Sequence, residues 1–248
     1  LLADEAKGLQ VAKTTAEAEA RAAKARLDAT AKDLSLLIDP PSTWQLSADK
    51  DAQRARLVPV DVTTAEGSAA VRAFMATLAG RISVVVVDVH RVQNLPMWRT
   101  FVAYKKAVLM REGGDEQSVE RRYERRWLFH GTPEELTSKI SQQGFNRSYT
   151  GLTSGRAVYG KGSYFARDAS YSSSPEYSRP NAAGVQHMFL CRVIVGEYCK
   201  GDSTMLAPPT RHGDILFDTT VDDMHAPRVY VTYNDAQAYP EYLVRFRQ

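Results

Sequence analysis

The 248 residues carry a net charge of +3, with 44% hydrophobic and 25% charged residues, a balance that suits one sizeable soluble core with a small appendage. So small a charge gives no argument for nucleic-acid binding, and the basic run Arg121-Arg122-Tyr123-Glu124-Arg125-Arg126 reads as a solvated strand or helix edge. Two cysteines, Cys191 and Cys199, cannot make a disulfide framework, no Cys/His spacing suits zinc, and no apolar run reaches membrane-spanning length. These features lead us to expect an intracellular protein with reduced thiols, no metal and no membrane association. The chain opens on Leu1 with no signal-peptide pattern, and is expected to be a piece of a longer protein.

Residues 1–38 are Ala-rich, mix both charges and lack Pro, Trp, Tyr and Phe. Good helix formers predict a helical linker or extension. Leu9, Val11, Leu27, Leu34 and Leu37 keep no heptad, which argues against the competing coiled-coil reading. Asp39-Pro40-Pro41 is expected to stop this helix, and a globular part is expected over 41–248. Leu57–Val62 reads as a strand. Thr63-Thr64-Ala65-Glu66 opens a helix to about Leu78, with Val71, Phe74, Met75 and Leu78 at helical spacing. Ile82–Val87 is a buried strand. An amphipathic helix occupies Val92–Met110, and Gly113-Gly114 is a turn. Arg126–Phe129 is a strand, followed by a helix over Pro133–Gln142 that ends at Gly144. Further strands are expected at Gly162–Ala166, His187–Val195, Arg228–Tyr233 and Tyr242–Phe246. Scattered strands with a few helices predict an α+β fold with an antiparallel-rich sheet.

Two segments carry chemistry. Leu128-Phe129-His130-Gly131-Thr132 is followed about thirty residues later by Tyr159-Gly160-Lys161-Gly162-Ser163-Tyr164-Phe165-Ala166. An imidazole can bond a sugar hydroxyl, and a Gly backbone can approach a carboxamide closely; by itself His130-Gly131 reads more often as a strand-end turn. Gly160 and Gly162 permit tight backbone beside a flat ligand. A dinucleotide fingerprint fails because no third Gly follows, and a P-loop fails on Gly spacing. Tyr164 and Tyr177 can sandwich a ring, with Ser172 donating to an amide; the bland alternatives are a core tyrosine and a solvated loop serine.

In this order, His130-Gly131, the Tyr159–Ala166 motif, Ser172 and Tyr177 closely resemble the catalytic domain of the poly(ADP-ribose) polymerase family. Gly144-Phe145-Asn146-Arg147-Ser148-Tyr149, Tyr177-Ser178-Arg179-Pro180, Asn94-Leu95-Pro96-Met97-Trp98, Tyr104-Lys105-Lys106 and Asp235–Leu243 are similar to the branch whose vertebrate members carry macrodomains. The resemblance covers 41–248. It implies the ADP-ribosyltransferase fold: two mixed, mostly antiparallel sheets flanked by short helices, with NAD as co-substrate in a cleft between them. It also implies a His-Tyr-Glu triad. His130 matches the His, for the nicotinamide ribose, and Tyr164 matches the Tyr that stacks on nicotinamide. Gly131 would hold the carboxamide through its backbone and Ser172 through its hydroxyl, while Tyr177 closes the other ring face. Tyr159 belongs to the same cofactor-binding set, and Thr132 and Arg147 fall where adenosine-side contacts are expected.

The third triad member departs from the pattern. In one register Val229-Tyr230-Val231-Thr232-Tyr233 is the triad strand, and Val229 replaces the Glu; in the other, Glu241 supplies it. The first is favoured, because the family places a further strand after the triad strand and Tyr242–Phe246 fits that strand. Valine neither accepts nor donates a hydrogen bond, so chain elongation should fail, and single transfer survives if the acceptor brings its own carboxylate. The resemblance then implies a mono-ADP-ribosyltransferase acting on protein side chains, itself included. A silent NAD-binding scaffold and a polymerase using Glu241 are the competing readings, and a nucleic-acid acceptor stays open. The loop from Tyr198 to Asp218 sits where the family's acceptor-facing loop lies.

Overall fold

The computed structural model describes residues 13–14, 16–27, 40–44, 55–78, 80, 83–147 and 157–248. The chain divides into two units, residues 1–41 and 42–248. In the first, residues 16–27 are helical and exposed, Leu27 among them. Leu9, Val11, Leu34, Leu37 and the Asp39 stop lie outside the described residues, as does Ile82. Among the described residues no helix is long and apolar enough to cross a membrane.

In the second unit, local chemistry sets the element ends. After β1 (Arg56–Val60), Thr64 caps α1 (Ala65–Ala76) by accepting the Gly67 N–H at 3.1 Å. Glu66 in the first turn takes Arg91 at 2.7 Å and the Tyr242 hydroxyl at 2.9 Å, which fastens the helix to the sheet. β2 runs over Val85–Gln93, longer than the valine run suggested, because Asp88 and Arg91 find partners in Arg245 and Glu66. The amphipathic helix expected around Trp98, Phe101, Tyr104 and Val108 follows as α2 (Leu95–Glu112). Asn94 serves two helices. Its side-chain oxygen accepts Met97 N–H at 3.1 Å, and its amide donates to the carbonyls of Ser141 and Gln142, each at 3.0 Å, in the last turn of α4 (Glu134–Gln143).

Between α2 and α4 lie α3 (Glu116–Tyr123), which the sequence reading did not anticipate, and β3 (Glu124–Thr132). The basic run straddles their junction, where Arg122 pairs with Glu197 at 2.8 Å and Arg126 with Glu241 at 2.9 Å. Beyond α4 come β4 (Ser163–Ala166), α5 (Ala169–Ser172), β5 (Gln186–Ile194), β6 (Tyr198–Lys200), the hairpin β7 (Thr210–His212) and β8 (Ile215–Leu216), β9 (Thr219–Val221), β10 (Val229–Thr232) and β11 (Ala238–Arg247).

Nine strands pair in the order β1-β2-β11-β5-β3-β4-β10-β9-β6. All pairs are antiparallel except β6 with β9. A five-stranded arm, β1 to β3, meets a four-stranded arm, β4 to β6, at the single register pair Phe129–Ala166. This is the α+β arrangement that the resemblance implies, but the two expected sheets are one continuous nine-stranded sheet that narrows to a single rung between its arms. β5 is buried on both faces. Phe189, Cys191 and Val193 enter one core with Leu128, Phe145 and Phe165, while Met188 and Leu190 enter another with Phe74, Phe129 and Phe246. A third core gathers Trp44, Trp98, Phe101 and Tyr239 under α2.

A second tie joins the arms. Gln237, 1% exposed, accepts the N–H groups of Tyr233 (2.9 Å) and Asn234 (2.8 Å) after β10. Its amide donates to Ile194 O at 3.2 Å and Asp218 O at 3.0 Å, at the ends of β5 and the approach to β9. Gln237→Leu keeps the volume and strands these buried backbone groups. We expect it to cost about 2–4 kcal/mol in urea unfolding, since each orphaned group carries roughly 1–3 kcal/mol; a loss under about 0.5 kcal/mol would show that the tie is unimportant.

Candidate active site

Beyond Phe129–Ala166, β3 stays with β5 and β4 stays with β10. The space that opens is a cavity of about 370 Å³, lined by Gly131 and Thr132 of β3, Ser163 and Tyr164 of β4, and Val229 of β10. That is within the size range of small-molecule sites. α4, the segment Gly144–Asn146 and the turn from α5 to Tyr177 also contribute to its lining.

His130 sits across the split. Its Nδ1 lies 2.8 Å from the Tyr164 carbonyl oxygen. A carbonyl only accepts, so Nδ1 carries the proton and the neutral ring keeps its lone pair on Nε2. Phe145 (4.9 Å) and Phe165 (5.7 Å) pack against the ring. Burial holds the imidazole pKa below its ordinary value, against the Tyr164 carbonyl, which favours the protonated ring.

Tyr164 is fixed by the loop that precedes it. Its hydroxyl donates to Gly160 O at 2.8 Å and accepts Tyr159 N–H at 3.0 Å. Burial pushes the phenol up to about 12, so the donor stays in place at any working pH. Both hydroxyl functions are used by backbone, which leaves the ring face as what this residue offers to the cavity. The motif needs Gly160 for two reasons: its φ is +122°, and a Cβ there would meet the Tyr233 hydroxyl at 1.8 Å. Tyr159 also accepts from Thr220 Oγ1 at 2.6 Å and lines the cavity.

Gly131 is required by close approach. A Cβ at this position would meet the Ser172 carbonyl oxygen at 2.2 Å and Tyr177 Cβ at 3.1 Å. The turn carrying Ser172 and Tyr177 is thereby pressed onto the edge of β3. Ser172 Oγ donates to Phe129 O at 3.1 Å, so donating to a ligand amide would mean leaving that carbonyl. The Tyr177 ring stacks on Tyr171, with centroids 5.2 Å apart and planes 16° apart, and its hydroxyl donates to that of Tyr171 at 3.1 Å. Tyr171 lines the cavity and was passed over in a Ser-rich stretch; its one signal was a second aromatic six residues before Tyr177.

The remaining expected residues divide. Thr132 lines the cavity, 1% exposed. Arg147 is not among the lining residues; its guanidinium donates to Tyr233 O at 3.0 Å. Ser148 and Tyr149 lie outside the described residues. Val229 lines the cavity, pairs with Ala166 and is 3% exposed. Glu241 does not line it; this carboxylate is buried in β11 against Arg126 and the Trp127 indole N–H. The 198–218 segment, expected as a loop, holds β6 and the β7–β8 hairpin. Met205 O accepts Lys161 N–H at 2.8 Å, and Arg211 pairs with Glu112 at 3.0 Å.

The profile of the poly(ADP-ribose) polymerase catalytic domain matches residues 65–214, more than half of the chain. Human protein mono-ADP-ribosyltransferase PARP14 is 38% identical over 163 residues, covering 64% of this chain and 9% of that protein. Mouse protein mono-ADP-ribosyltransferase PARP10 is 34% identical over 226 residues, 85% of this chain and 22% of that protein. Human protein mono-ADP-ribosyltransferase PARP11 is 36% identical over 177 residues, 64% of this chain and 50% of that protein. The chain thus spans half or less of these relatives. A His–Tyr cleft at a split between sheet arms and a profile match across that cleft lead to one assignment: the chain belongs to the poly(ADP-ribose) polymerase catalytic domain family.

Proposed function

We propose that the chain moves a single ADP-ribose unit from NAD to a protein side chain, itself included, and releases nicotinamide. One observation carries the single-unit reading: Val229 stands at the cavity where the resemblance expects the triad Glu, while Glu241 is committed to Arg126 and Trp127 inside β11. The names of the three relatives described above, each a protein mono-ADP-ribosyltransferase, support it. The free thiols Cys191 and Cys199 suit an intracellular setting.

The cavity suits NAD by chemistry. NAD supplies a ribosyl–nicotinamide bond that breaks through an oxocarbenium-like state, where positioning and electrostatics dominate. His130 Nε2 accepts a ribose hydroxyl, and Nδ1, held by Tyr164 O, keeps the ring in the accepting tautomer. Tyr164 offers one aromatic face, and the Tyr177–Tyr171 stack offers another. Gly131 and Ser172, in close approach, hold the carboxamide. Val229 does not polarise a ribose hydroxyl toward a second round. The acceptor's own carboxylate attacks C1′ as nicotinamide departs with the bonding electrons.

Incubation with labelled NAD followed by intact-mass measurement should give additions of one ADP-ribose unit per site. His130→Ala should lower transfer on the order of 100-fold, the scale of losing one transition-state contact; a ladder of units on one site would sink the single-unit reading. Glu241→Gln should cost roughly 1–3 kcal/mol of folding stability and leave the mass of the product unchanged; loss of transfer in a folded Glu241→Gln protein would return Glu241 to the chemistry. The pH profile has a defined sign. The useful form of His130 is neutral, and its pKa is lowered. The acid limb of kcat/KM should therefore lie below pH about 6.5, and an acid limb above that value would remove His130 from the acceptor role.

A further inference from the structure

Among the described residues the cavity lining holds one carboxylate, Glu176, and one ammonium, Lys139. Both are exposed, and among the described residues neither joins an ion pair. They stand at different places along the cavity. Glu176 precedes Tyr177, whose Cβ, with the Ser172 carbonyl, closes on Gly131; Glu176 therefore belongs to the end where ring and carboxamide bind. The first turn of α4 is tied to the chain just after Tyr177, by Glu135 to Arg179 and by Glu134 to Asn181 at 3.0 Å. Lys139 lies four residues, about 6 Å of helix rise, beyond Glu135, on the way to Gln143 and away from that tie.

We propose that Glu176 and Lys139 orient NAD by charge: Glu176 attracts the cationic nicotinamide ring, and Lys139 attracts the diphosphate. This rests on the NAD reading above. The intact dinucleotide carries a positive ring at one end and two negative phosphates in the middle, the same order as the two side chains. The Glu176 attraction acts on the ground state. It weakens as nicotinamide leaves as a neutral molecule, so Glu176 favours NAD over the released product and tightens substrate binding without helping the bond-breaking step. Both contacts lie at the solvent-exposed lining, so their strength falls with salt.

NADH separates the two roles, because it keeps the diphosphate and lacks the ring charge. Dissociation constants for NAD and NADH, measured by calorimetry on the whole chain at low and high salt, test the proposal. Glu176→Gln should weaken NAD by roughly two- to fivefold, the range of an exposed charge contact, and leave NADH unchanged. Lys139→Gln should weaken both by a similar factor. Each loss should shrink at high salt. Equal weakening of both dinucleotides by Glu176→Gln, or no change in either, would overturn the assignment while the NAD reading stands. Wild-type protein that binds neither dinucleotide would overturn the NAD reading and this proposal with it.

Discussion

A side chain takes the place of a ladder hydrogen bond at the centre of this molecule. His130 gives its Nδ1 proton to the Tyr164 carbonyl at 2.8 Å, one residue past the last rung between β3 and β4. That bond satisfies a carbonyl which the parting of the strands would otherwise leave without a partner. It also fixes the imidazole tautomer and spans the cleft that the parting creates. Each arm completes its pairing with its own neighbours, β3 with β5 and β4 with β10. Gln237 and the Phe129–Ala166 rung keep the arms from separating. The cavity is thus a product of sheet topology, and its key imidazole is part of what holds the split at a fixed width.

The groups around it are rigid for reasons that have little to do with a ligand. Tyr164 is clamped by backbone of its own loop, Gly131 by the Ser172 carbonyl and Tyr177, and the loop itself by Thr220 and Tyr233. Preorganisation of this kind lowers the ordering cost of binding a flat ring and directs the remaining interaction toward the broken bond. On the proposed reading, Val229 in place of the carboxylate removes one polar function and leaves these supports in place. The expected consequence is selective: ring binding and bond breaking keep their contacts, and activation of a ribose hydroxyl loses its own.

The sequence made the cleft legible because its constraints are local and chemical. A glycine at φ +122° beside a tyrosine hydroxyl, and another against a carbonyl oxygen, leave their mark as Gly160 and Gly131. Helix ends were readable from Thr64 and Gly144, which act through hydrogen bonds within a few residues. The misses have the opposite character. The second half of β2 contains Asp88 and Arg91, which look unfit for a buried strand until Arg245 and Glu66 arrive from elsewhere in the chain. α3 hides its two buried residues, Val119 and Tyr123, at i and i+4 within a charged run. β6 to β9 are two or three residues long, so pairing partners define them and no periodicity can.

On the proposed reading, the segment between β6 and β9 bears on which acceptor is used. It touches the motif loop through one backbone bond, Lys161 N–H to Met205 O, and it is held at its far side by Arg211 on Glu112 and by Asp218, which takes Arg111 at 2.7 Å. The anchors run to the end of α2, away from His130 and Tyr164. Sequence change within the hairpin can therefore alter the surface offered to an acceptor without moving the ring-binding groups. On the proposed reading, with Val229 at the position of the triad carboxylate, the nucleophile arrives with its own negative charge, and discrimination shifts from activating a hydroxyl to admitting a carboxylate.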